Sequence, residues 1–374
     1  MKNVLINAIT IKEGGGLVVF TRTFNEMIQQ DNTIHWIVVI DELLRDKINT
    51  NNHVTVLTFP WIKKSSLHLL FWNEIYLPKL IKKMNIDCIY SQINTLPFRK
   101  LRCKTFLSIL HAGYFSKEFI SLHFKYNTSL RQKIAWEIRK KWVFSSIEKA
   151  DIVTAPTKAL ADEIISQLKI EKNKMAVILP GTGLAEGHCE PKHYPQNKTW
   201  RIGYITKYGV QKNFGVLLKA AANLKSKKID FKLVLTLNTN HAPFQHIKSM
   251  IEKYNVGDVI ENYGESSETK LRDLYSTLDL FVFPSLCESI GFTLIEAMYY
   301  GLPVIAANIP SNRELLGENG IFFQPYDFAA LSEKIISVIN SESDYLKLSN
   351  YSKTISNQLS WEKSARDTLA VLQG

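Results

Sequence analysis

Residues 287–298 read CESIGFTLIEAM and place two glutamates, Glu288 and Glu296, eight positions apart on either side of Gly291. The apolar run Leu280–Phe283 just upstream predicts a buried strand. Glu288 then falls in a short turn, and a helix is predicted directly after Gly291. Glycine lets the backbone approach a ligand closely, and a helix start offers N–H groups and a positive dipole end to an anion. The stretch therefore predicts an anion-binding strand–turn–helix unit that carries two acids.

The sequence around the two glutamates resembles a known family. It holds, in order, FVFPS at 281–285, Gly291, EAM at 296–298, GLPVIA at 301–306, Asn319-Gly320 and PYD at 325–327. This order resembles the Glu-x7-Glu signature of glycosyltransferase family 4, also called glycosyl transferases group 1, whose members are retaining enzymes of the GT-B type. The spacing of the two glutamates, taken alone, would also fit an amphipathic helix with two solvated acids. The resemblance implies an α/β fold of two doubly wound, Rossmann-like domains facing each other across a cleft.

The length of 374 residues exceeds one ordinary core and suits two α/β domains. Strand-like and helix-like segments alternate in both halves, which predicts mainly parallel sheets with helices on both faces. The glycines and prolines of residues 181–199, without apolar periodicity, predict a linker. We therefore predict an acceptor-binding domain over 1–190 and a nucleotide-sugar-binding domain over 198–350. By the resemblance, a helix over 351–374 crosses back to the first domain.

The resemblance also implies a donor site in the second half. Lys207 and Lys212 occupy the positions of two basic residues that grip the donor diphosphate, although the family more often has arginine at the first. Two ordinary surface lysines are the alternative, but the C-terminal end of a strand is where open α/β sheets bind ligands. Glu288 is expected to position and stabilise the sugar. The other expected donor contacts are Gly264, Ser289, Ile290, Gly291, Phe292 and the ribose-binding Glu296.

A glycine triplet, residues 14–16, follows the first predicted strand and precedes a helix predicted from about Leu17. Three glycines let a loop lie close to a phosphate or a sugar, although a bare flexible turn is the alternative. The triplet is not the Gly-x-Gly-x-x-Gly dinucleotide fingerprint. By the resemblance, Gly15 and Gly16 contact the donor.

A histidine, His111, ends a predicted strand in the first half and is followed by Ala112-Gly113-Tyr114. A lone histidine is usually structural, but one at the carboxyl end of a strand is better placed for function. It matches the family's histidine near the donor sugar, so we predict that His111 is catalytic. Asn94 and Tyr114 are predicted acceptor contacts.

The net charge of +11 belongs to the first half, because residues 1–200 hold 28 Lys and Arg against 17 Asp and Glu, whereas residues 201–374 hold 18 of each. Eleven basic residues fall between Arg99 and Lys141. The sequence contains no recognition-helix, zinc or RNA-binding motif, so we expect no nucleic-acid partner. An anionic membrane surface or a phosphate-bearing acceptor suits the charge better.

A basic helix is predicted over Leu130–Ala150. Its four-residue apolar spacing predicts a buried stripe of Leu130, Ile134, Ile138 and Trp142, which leaves Trp136 and Phe144 exposed among lysines. Exposed aromatics of this kind suit an interfacial membrane contact. A solvated basic face over ordinary core packing is the alternative.

No metal or other cofactor is expected. The four cysteines are scattered, no Asp-x-Asp motif occurs, and His188, Cys189 and His193 lie in a linker-like stretch without further ligands. The fixed positive groups of the donor site replace a divalent metal in this reading. We expect a cytoplasmic location, peripheral to the inner face of the cell membrane, because no signal peptide or membrane span is evident.

The sequence thus predicts a retaining glycosyltransferase that moves a sugar from a nucleoside-diphosphate sugar to a hydroxyl of a glycan or lipid-linked acceptor. The setting that the resemblance implies is bacterial surface polysaccharide or lipopolysaccharide assembly. Two alternatives stay open at this point. One is a nucleotide-sugar epimerase of the same fold, and the other is a non-catalytic, membrane-associated assembly protein.

Overall fold

The computed structural model describes residues 1–126, 129–183, 187, 189–196 and 199–374. His188 and parts of the predicted linker therefore lie outside the described residues. The chain forms two compact units. Unit 1 comprises Met1–Phe115, Asn127–Gly181 and Ser360–Gly374, and unit 2 comprises Ser116–Tyr126 and Thr182–Leu359.

Strands and helices alternate along the whole chain. The first half forms β1 (Lys2–Asn7), α1 (Gly14–Gln30), β2 (Ile34–Ile40), β3 (Val54–Thr58), α2 (Ser66–Phe71), α3 (Leu77–Lys83), β4 (Cys88–Ser91), β5 (Lys104–Ser108), α4 (Lys117–Tyr126), α5 (Leu130–Lys149), β6 (Ile152–Ala155), α6 (Lys158–Leu168) and β7 (Met175–Val177). The second half forms β8 (Trp200–Tyr204), α7 (Phe214–Ser226), β9 (Phe231–Leu235), α8 (Phe244–Lys253), β10 (Ile260–Asn262), α9 (Glu268–Thr277), β11 (Leu280–Phe283), α10 (Phe292–Tyr299), β12 (Val304–Ala307), α11 (Pro310–Leu316), β13 (Ile321–Phe323), α12 (Phe328–Ile339), α13 (Glu342–Ser356) and α14 (Trp361–Gln373).

Unit 1 is built on a seven-stranded parallel sheet in the order β3-β2-β1-β4-β5-β6-β7. Its central strands are largely buried, with four of the six residues of β1 and all four of β4 buried, as expected for strands covered on both faces. The strand order reverses between β1 and β4, where Asn7 lies opposite Ser91. Helix α14 belongs to this unit and packs against α1.

Unit 2 is built on a six-stranded parallel sheet in the order β10-β9-β8-β11-β12-β13. All four residues of β11 are buried. The order reverses between β8 and β11, and ligands of open α/β sheets bind at the carboxyl ends of the strands at such a reversal. The loops after these two strands carry Lys207, Lys212 and Glu288. The predicted pair of doubly wound parallel-sheet domains is confirmed.

The glycine triplet lies in the first turn of α1, and the prediction that the helix starts near Leu17 was wrong. Gly14 has φ +74°, a conformation that glycine adopts without strain, and a Cβ there would contact nothing within 4 Å. The chain therefore turns into the helix at Gly14. No side chain caps this helix start.

The predicted buried stripe of α5 was also wrong for three of its four residues, whereas the fourth, Trp142, is partly buried. Leu130, Ile134 and Ile138 are 72%, 51% and 61% exposed. Trp136 and Phe144, predicted to be exposed, instead pack against the core of unit 1. The helix carries two apolar stripes, and the one containing the large rings faces the core. No helix in the described ranges is long and apolar enough to cross a bilayer.

Candidate functional site

An ion pair between Lys212 and Glu288 is the centre of the predicted donor site in unit 2. The Lys212 Nζ lies 2.6 Å from Glu288 Oε1, and the two side chains are only 16% and 13% exposed. Ser285 Oγ donates to the same oxygen at 2.6 Å. The N–H of Leu286 donates to the carbonyl of Gln211 at 2.9 Å, which joins the loops after β8 and β11. The charged pair is therefore fixed by both loops.

Tyr204, at the end of β8, contacts both loops that hold this pair and was not predicted as a site residue. Its hydroxyl donates to the carbonyl of Lys212 at 3.1 Å and lies 3.3 Å from Ser285 Oγ. Burial, with the Glu288 carboxylate nearby, raises the pKa of Tyr204, so its hydroxyl stays protonated. Ser285 stood inside the FVFPS motif, but Tyr204 gave no sequence signal beyond that of a strand residue.

Glu296 is held in a fixed orientation inside unit 2. It is 5% exposed on α10, and the hydroxyl of Tyr275 donates to its Oε2 at 2.8 Å. Burial and the neighbouring carboxylate raise the pKa of Tyr275, which keeps this donor protonated. The ring of Tyr300 stacks on Tyr275 at 5.3 Å. The sequence pattern placed Glu296 correctly on the helix, but it did not identify Tyr275 as its partner.

The turn before α10 matches the predicted anion-binding geometry. Gly291 has φ +75° and precedes the first helical residue, Phe292. The N-cap residue is this glycine, which has no side chain, and the positive end of the helix dipole lies at the turn. Ile290 is buried, whereas Ser289 is partly exposed in the turn. These residues lie between the two predicted functional glutamates in one continuous segment.

Lys207 pairs with Glu265, not with Glu288. Its Nζ lies 2.7 Å from Glu265 Oε1, and both side chains are more than half exposed. Asn238 Nδ2 donates to the other carboxylate oxygen at 3.2 Å. The adjacent Gly264 has φ +71° and open space around its Cα. Lys207 and Gly264 therefore belong to one exposed cluster at the carboxyl edge of the sheet.

In unit 1, several predicted residues meet around Leu110, which directly precedes His111. Asn94 Oδ1 accepts the N–H of Leu110 at 2.8 Å, and Asn94 itself has φ +62°. A Cβ at Gly16 would lie 4.0 Å from Leu110 Cδ1. Gly15 is exposed in the first turn of α1. The carboxamide of Asn94 thus fixes the backbone that presents His111.

The ring of His111 packs edge-on against Tyr114 at 4.7 Å. Tyr114 is 4% exposed and stacks on Trp136 at 5.0 Å, and burial raises its pKa. This packing orients the imidazole. It also leaves little of Tyr114 accessible to an acceptor. Among the side chains that the structure describes, no group of three or more His, Cys, Asp or Glu residues could hold a metal ion.

Two family models together match most of the chain. The model described as Glycosyltransferase Family 4 matches residues 14–186, and the one described as Glycosyl transferases group 1 matches residues 190–355. The chain belongs to the family 4 glycosyltransferases. The predicted family is therefore confirmed.

Curated relatives of this family 4 glycosyltransferase include a D-inositol 3-phosphate glycosyltransferase of Paenarthrobacter aurescens, 24% identical over 60% of this chain and 57% of that protein. The O-antigen chain mannosyltransferase B of Escherichia coli is 24% identical over 62% of each chain. Both matches span less than two thirds of the relative. The structure of Anabaena Alr3699/HepE, in complex with UDP and glucose, covers all of both chains with a TM-score of 0.69 at 18% identity. The GT-B fold is confirmed.

Gly183 gives a prediction for this family 4 glycosyltransferase. Its φ is +69°, and a Cβ there would lie 2.5 Å from Glu296 Oε1. We expect Gly183→Ala to lower the free energy of unfolding by about 1–3 kcal/mol, because the strained backbone and the Glu296 side chain must both move. Thermal unfolding with and without donor nucleotide measures the effect. Gly187→Ala is the matched control, since Gly187 has φ +87° but a Cβ there would meet no described residue within 4 Å. Equal losses in the two variants would show that the close approach to Glu296 has no role.

Proposed function

We propose that this chain is a retaining glycosyltransferase that moves a sugar from a nucleoside-diphosphate sugar to a hydroxyl of a glycan or lipid-linked acceptor. The observation that carries the proposal is the partly buried Lys212–Glu288 pair, whose Glu288 lies in the turn that precedes α10, with Glu296 on that helix. The setting that we propose is assembly of a bacterial surface polysaccharide or lipopolysaccharide, and the likeness to an O-antigen mannosyltransferase supports it.

The chemistry requires positive charge where the diphosphate leaves. As the bond between the anomeric carbon and the diphosphate breaks, negative charge gathers on the leaving phosphate oxygens. In the proposed mechanism Lys207, Lys212 and the start of α10 meet this charge, and preorganised groups of this kind stabilise a transition state without rearranging. They supply the charge that a divalent metal supplies in other enzymes, so we propose that transfer needs no metal.

Glu288 is assigned two tasks. Through Oε1 it accepts from Lys212 and Ser285, which holds the lysine in position. Oε2 is the atom that we assign to a hydroxyl of the donor sugar, where its negative charge stabilises the oxocarbenium-like carbon. The acceptor oxygen then attacks from the face that the diphosphate leaves, and its proton passes to the departing phosphate. Glu296 receives the ribose hydroxyls, and His111 keeps its proposed catalytic role.

The test begins with thermal unfolding of the full chain against UDP-, GDP-, ADP- and dTDP-sugars in EDTA. A selective rise in melting temperature identifies the donor nucleotide and supports metal-free binding. Transfer is then followed by NMR of the product, where retention of the donor's anomeric configuration is expected. Inversion would overturn the retaining mechanism. Release of free nucleotide and a rearranged sugar without any acceptor would instead favour the epimerase.

We also propose that α5 touches an anionic membrane surface. Its exposed stripe, Leu130, Ile134 and Ile138, is flanked by the exposed basic residues Arg131 and Lys141. An apolar stripe with cationic borders inserts into the headgroup region while the basic groups meet anionic lipid. This surface differs from the predicted one, because its exposed apolar residues are aliphatic and do not include Trp136 and Phe144.

The α5 proposal predicts that Ile134→Asp combined with Ile138→Asp lowers binding to vesicles containing phosphatidylglycerol by about tenfold or more, since burying each side chain is worth roughly 1.5–3 kcal/mol. Cosedimentation measures the bound fraction. Leu43→Asp is the matched control, because Leu43 is 82% exposed on a different segment of unit 1. Unchanged binding of the double variant, or equal binding to purely zwitterionic vesicles, would rule out this surface.

A further inference from the structure

Unit 2 holds a pocket of about 240 Å³ whose lining includes none of the predicted donor residues. Its walls come from α4, α7 and α8 and from the segments that follow β8, β11 and β13. All its lining residues belong to unit 2. We call it the α4–α7 pocket.

The charged side chains that line the α4–α7 pocket are cationic. Lys125 and Lys219 line it, and no carboxylate lies among the lining residues. The Nζ of Lys125 lies 5.7 Å from the centre of the Tyr126 ring, and the Nζ of Lys219 lies 5.8 Å from that of Phe328, next to the pocket. Lys125 lies on α4 and Lys219 on α7, so the two lysines come to the same pocket only in the folded chain. This electrostatic pattern selects an anionic occupant.

The start of α7 adds to this positive field. The 13-residue helix begins at Phe214, and Phe214, Gly215 and Val216 all line the pocket. Asn213 precedes the helix, and its side chain makes no capping hydrogen bond; its Nδ2 donates to the carbonyl of Pro325 at 3.0 Å. The first turn contains no acid. The positive end of the helix dipole therefore points at the pocket without a neutralising side chain.

Three tyrosines give the pocket flat, amphipathic walls: Tyr126, Tyr208 and Tyr326. Tyr126 is 45% exposed, and its ring lies 5.6 Å from that of His246. Tyr326 is 58% exposed, and its hydroxyl donates to the carboxylate of Glu118, which fixes the ring. Exposed aromatic faces beside polar groups suit a sugar ring, which has an apolar face and a hydroxylated rim.

The pocket is also formed in part by the two loops that carry the donor site. Val210 and Leu286 line it, two residues before Lys212 and two before Glu288. The hydrogen bond from Leu286 to Gln211 joins the two loops. An occupant therefore contacts the same loops that hold the Lys212–Glu288 pair, which suits the second substrate of a transfer reaction.

We propose that the α4–α7 pocket binds an anionic sugar unit of the acceptor. Its phosphate or carboxylate meets Lys125, Lys219 and the start of α7, and its ring packs against the tyrosines. The inference rests on the proposed function only in naming the occupant as an acceptor. A phosphate and a carboxylate present the same charged oxygens, and the test separates them.

Calorimetric titration of the full chain with glucose 1-phosphate, glucuronate, glucose and inorganic phosphate tests the pocket. We expect at least one of the two charged sugars to bind about tenfold or more tightly than glucose, and the tighter of the two identifies the anion. Lys125→Gln and Lys219→Gln should each weaken that binding about five- to tenfold. Lys227→Gln, at the other end of α7 and exposed, should leave it unchanged. Tyr126→Ala should weaken binding of the charged sugar and spare inorganic phosphate.

Equal affinity for glucose and both charged sugars would overturn the proposal, and so would equal losses in Lys219→Gln and Lys227→Gln. The charged sugar could instead bind at the donor site. In that case Lys207→Gln would abolish its binding and Lys219→Gln would leave its binding unchanged. The thermal shift with donor nucleotide gives an independent readout of the proposed function. If no thermal shift occurs but the charged sugar binds in a way that depends on Lys219, donor binding is refuted and the proposal for the α4–α7 pocket stands.

Discussion

Replacing Lys212 by alanine is expected to lower kcat/KM by about 10²–10³-fold, the loss typical of removing one preorganised group from a developing charge. The variant takes away the ammonium proposed to meet the leaving diphosphate. It also leaves the Glu288 carboxylate, 13% exposed, with Ser285 as its remaining side-chain donor among the described residues. Steady-state transfer assays that separate kcat from KM measure the effect, and most of the loss should fall on kcat.

Lys225→Ala is the matched control. Lys225 forms an ion pair of the same 2.6 Å length with Asp258, but on the surface, where the two side chains are 35% and 61% exposed. Exposed pairs contribute about 0–1 kcal/mol, so this variant should keep its activity. The double variant Lys212→Ala with Glu288→Gln should lose less than the sum of the single losses, because the two residues act as one unit. Activity of Lys212→Ala within a few-fold of the unmodified chain would refute the assigned role.

Glu296→Gln should weaken donor nucleotide binding by about 10–100-fold, because a hydrogen bond to a charged acceptor contributes roughly 1.5–3 kcal/mol. The amide keeps the size of the side chain and one acceptor for Tyr275, so the fold should be retained. Calorimetric titration with the donor nucleotide, without acceptor, isolates this effect from catalysis.

Two further variants interpret the Glu296 result. Tyr275→Phe removes the hydroxyl that donates to Glu296 at 2.8 Å but leaves the carboxylate, so a smaller loss of about fivefold is expected. Glu333→Gln, exposed on α12, should have no effect. If Glu296→Gln binds nucleotide as tightly as the unmodified chain, the carboxylate does not receive the ribose.

The sequence was sufficient for the fold because its signals are local. Apolar runs such as Leu280–Phe283 are buried strands, and the motif order around Glu288 identified the family. The contacts between side chains in the site could not be predicted in the same way. Glu296 is oriented by Tyr275, 21 positions away, and is closely approached by Gly183, 113 positions away, and no local pattern links such residues.

Helix α5 shows a second limit of sequence reasoning. Its aliphatic residues recur every four positions, as a core-facing stripe should, and Trp136, Val143 and Ile147 form another apolar stripe on the same helix. Periodicity identifies the stripes but not the one that the rest of the chain covers. The stripe that contains Trp136 faces the core, where Tyr114 stacks on Trp136 and Phe115 stacks on Phe144.

The two units exchange segments of chain, since residues 116–126 belong to unit 2 and residues 360–374 to unit 1. Each unit therefore needs a segment that is separated from the rest of it in the sequence by part of the other unit. Neither unit can finish folding during synthesis before that segment has been made. Unit 1 must wait for α14, which leaves the ribosome after all of unit 2, and α4 must wait for β8 and α7. Cutting the gene between Gly181 and Thr182 would give two fragments that each lack a helix, and we expect both to be soluble only when they are produced together.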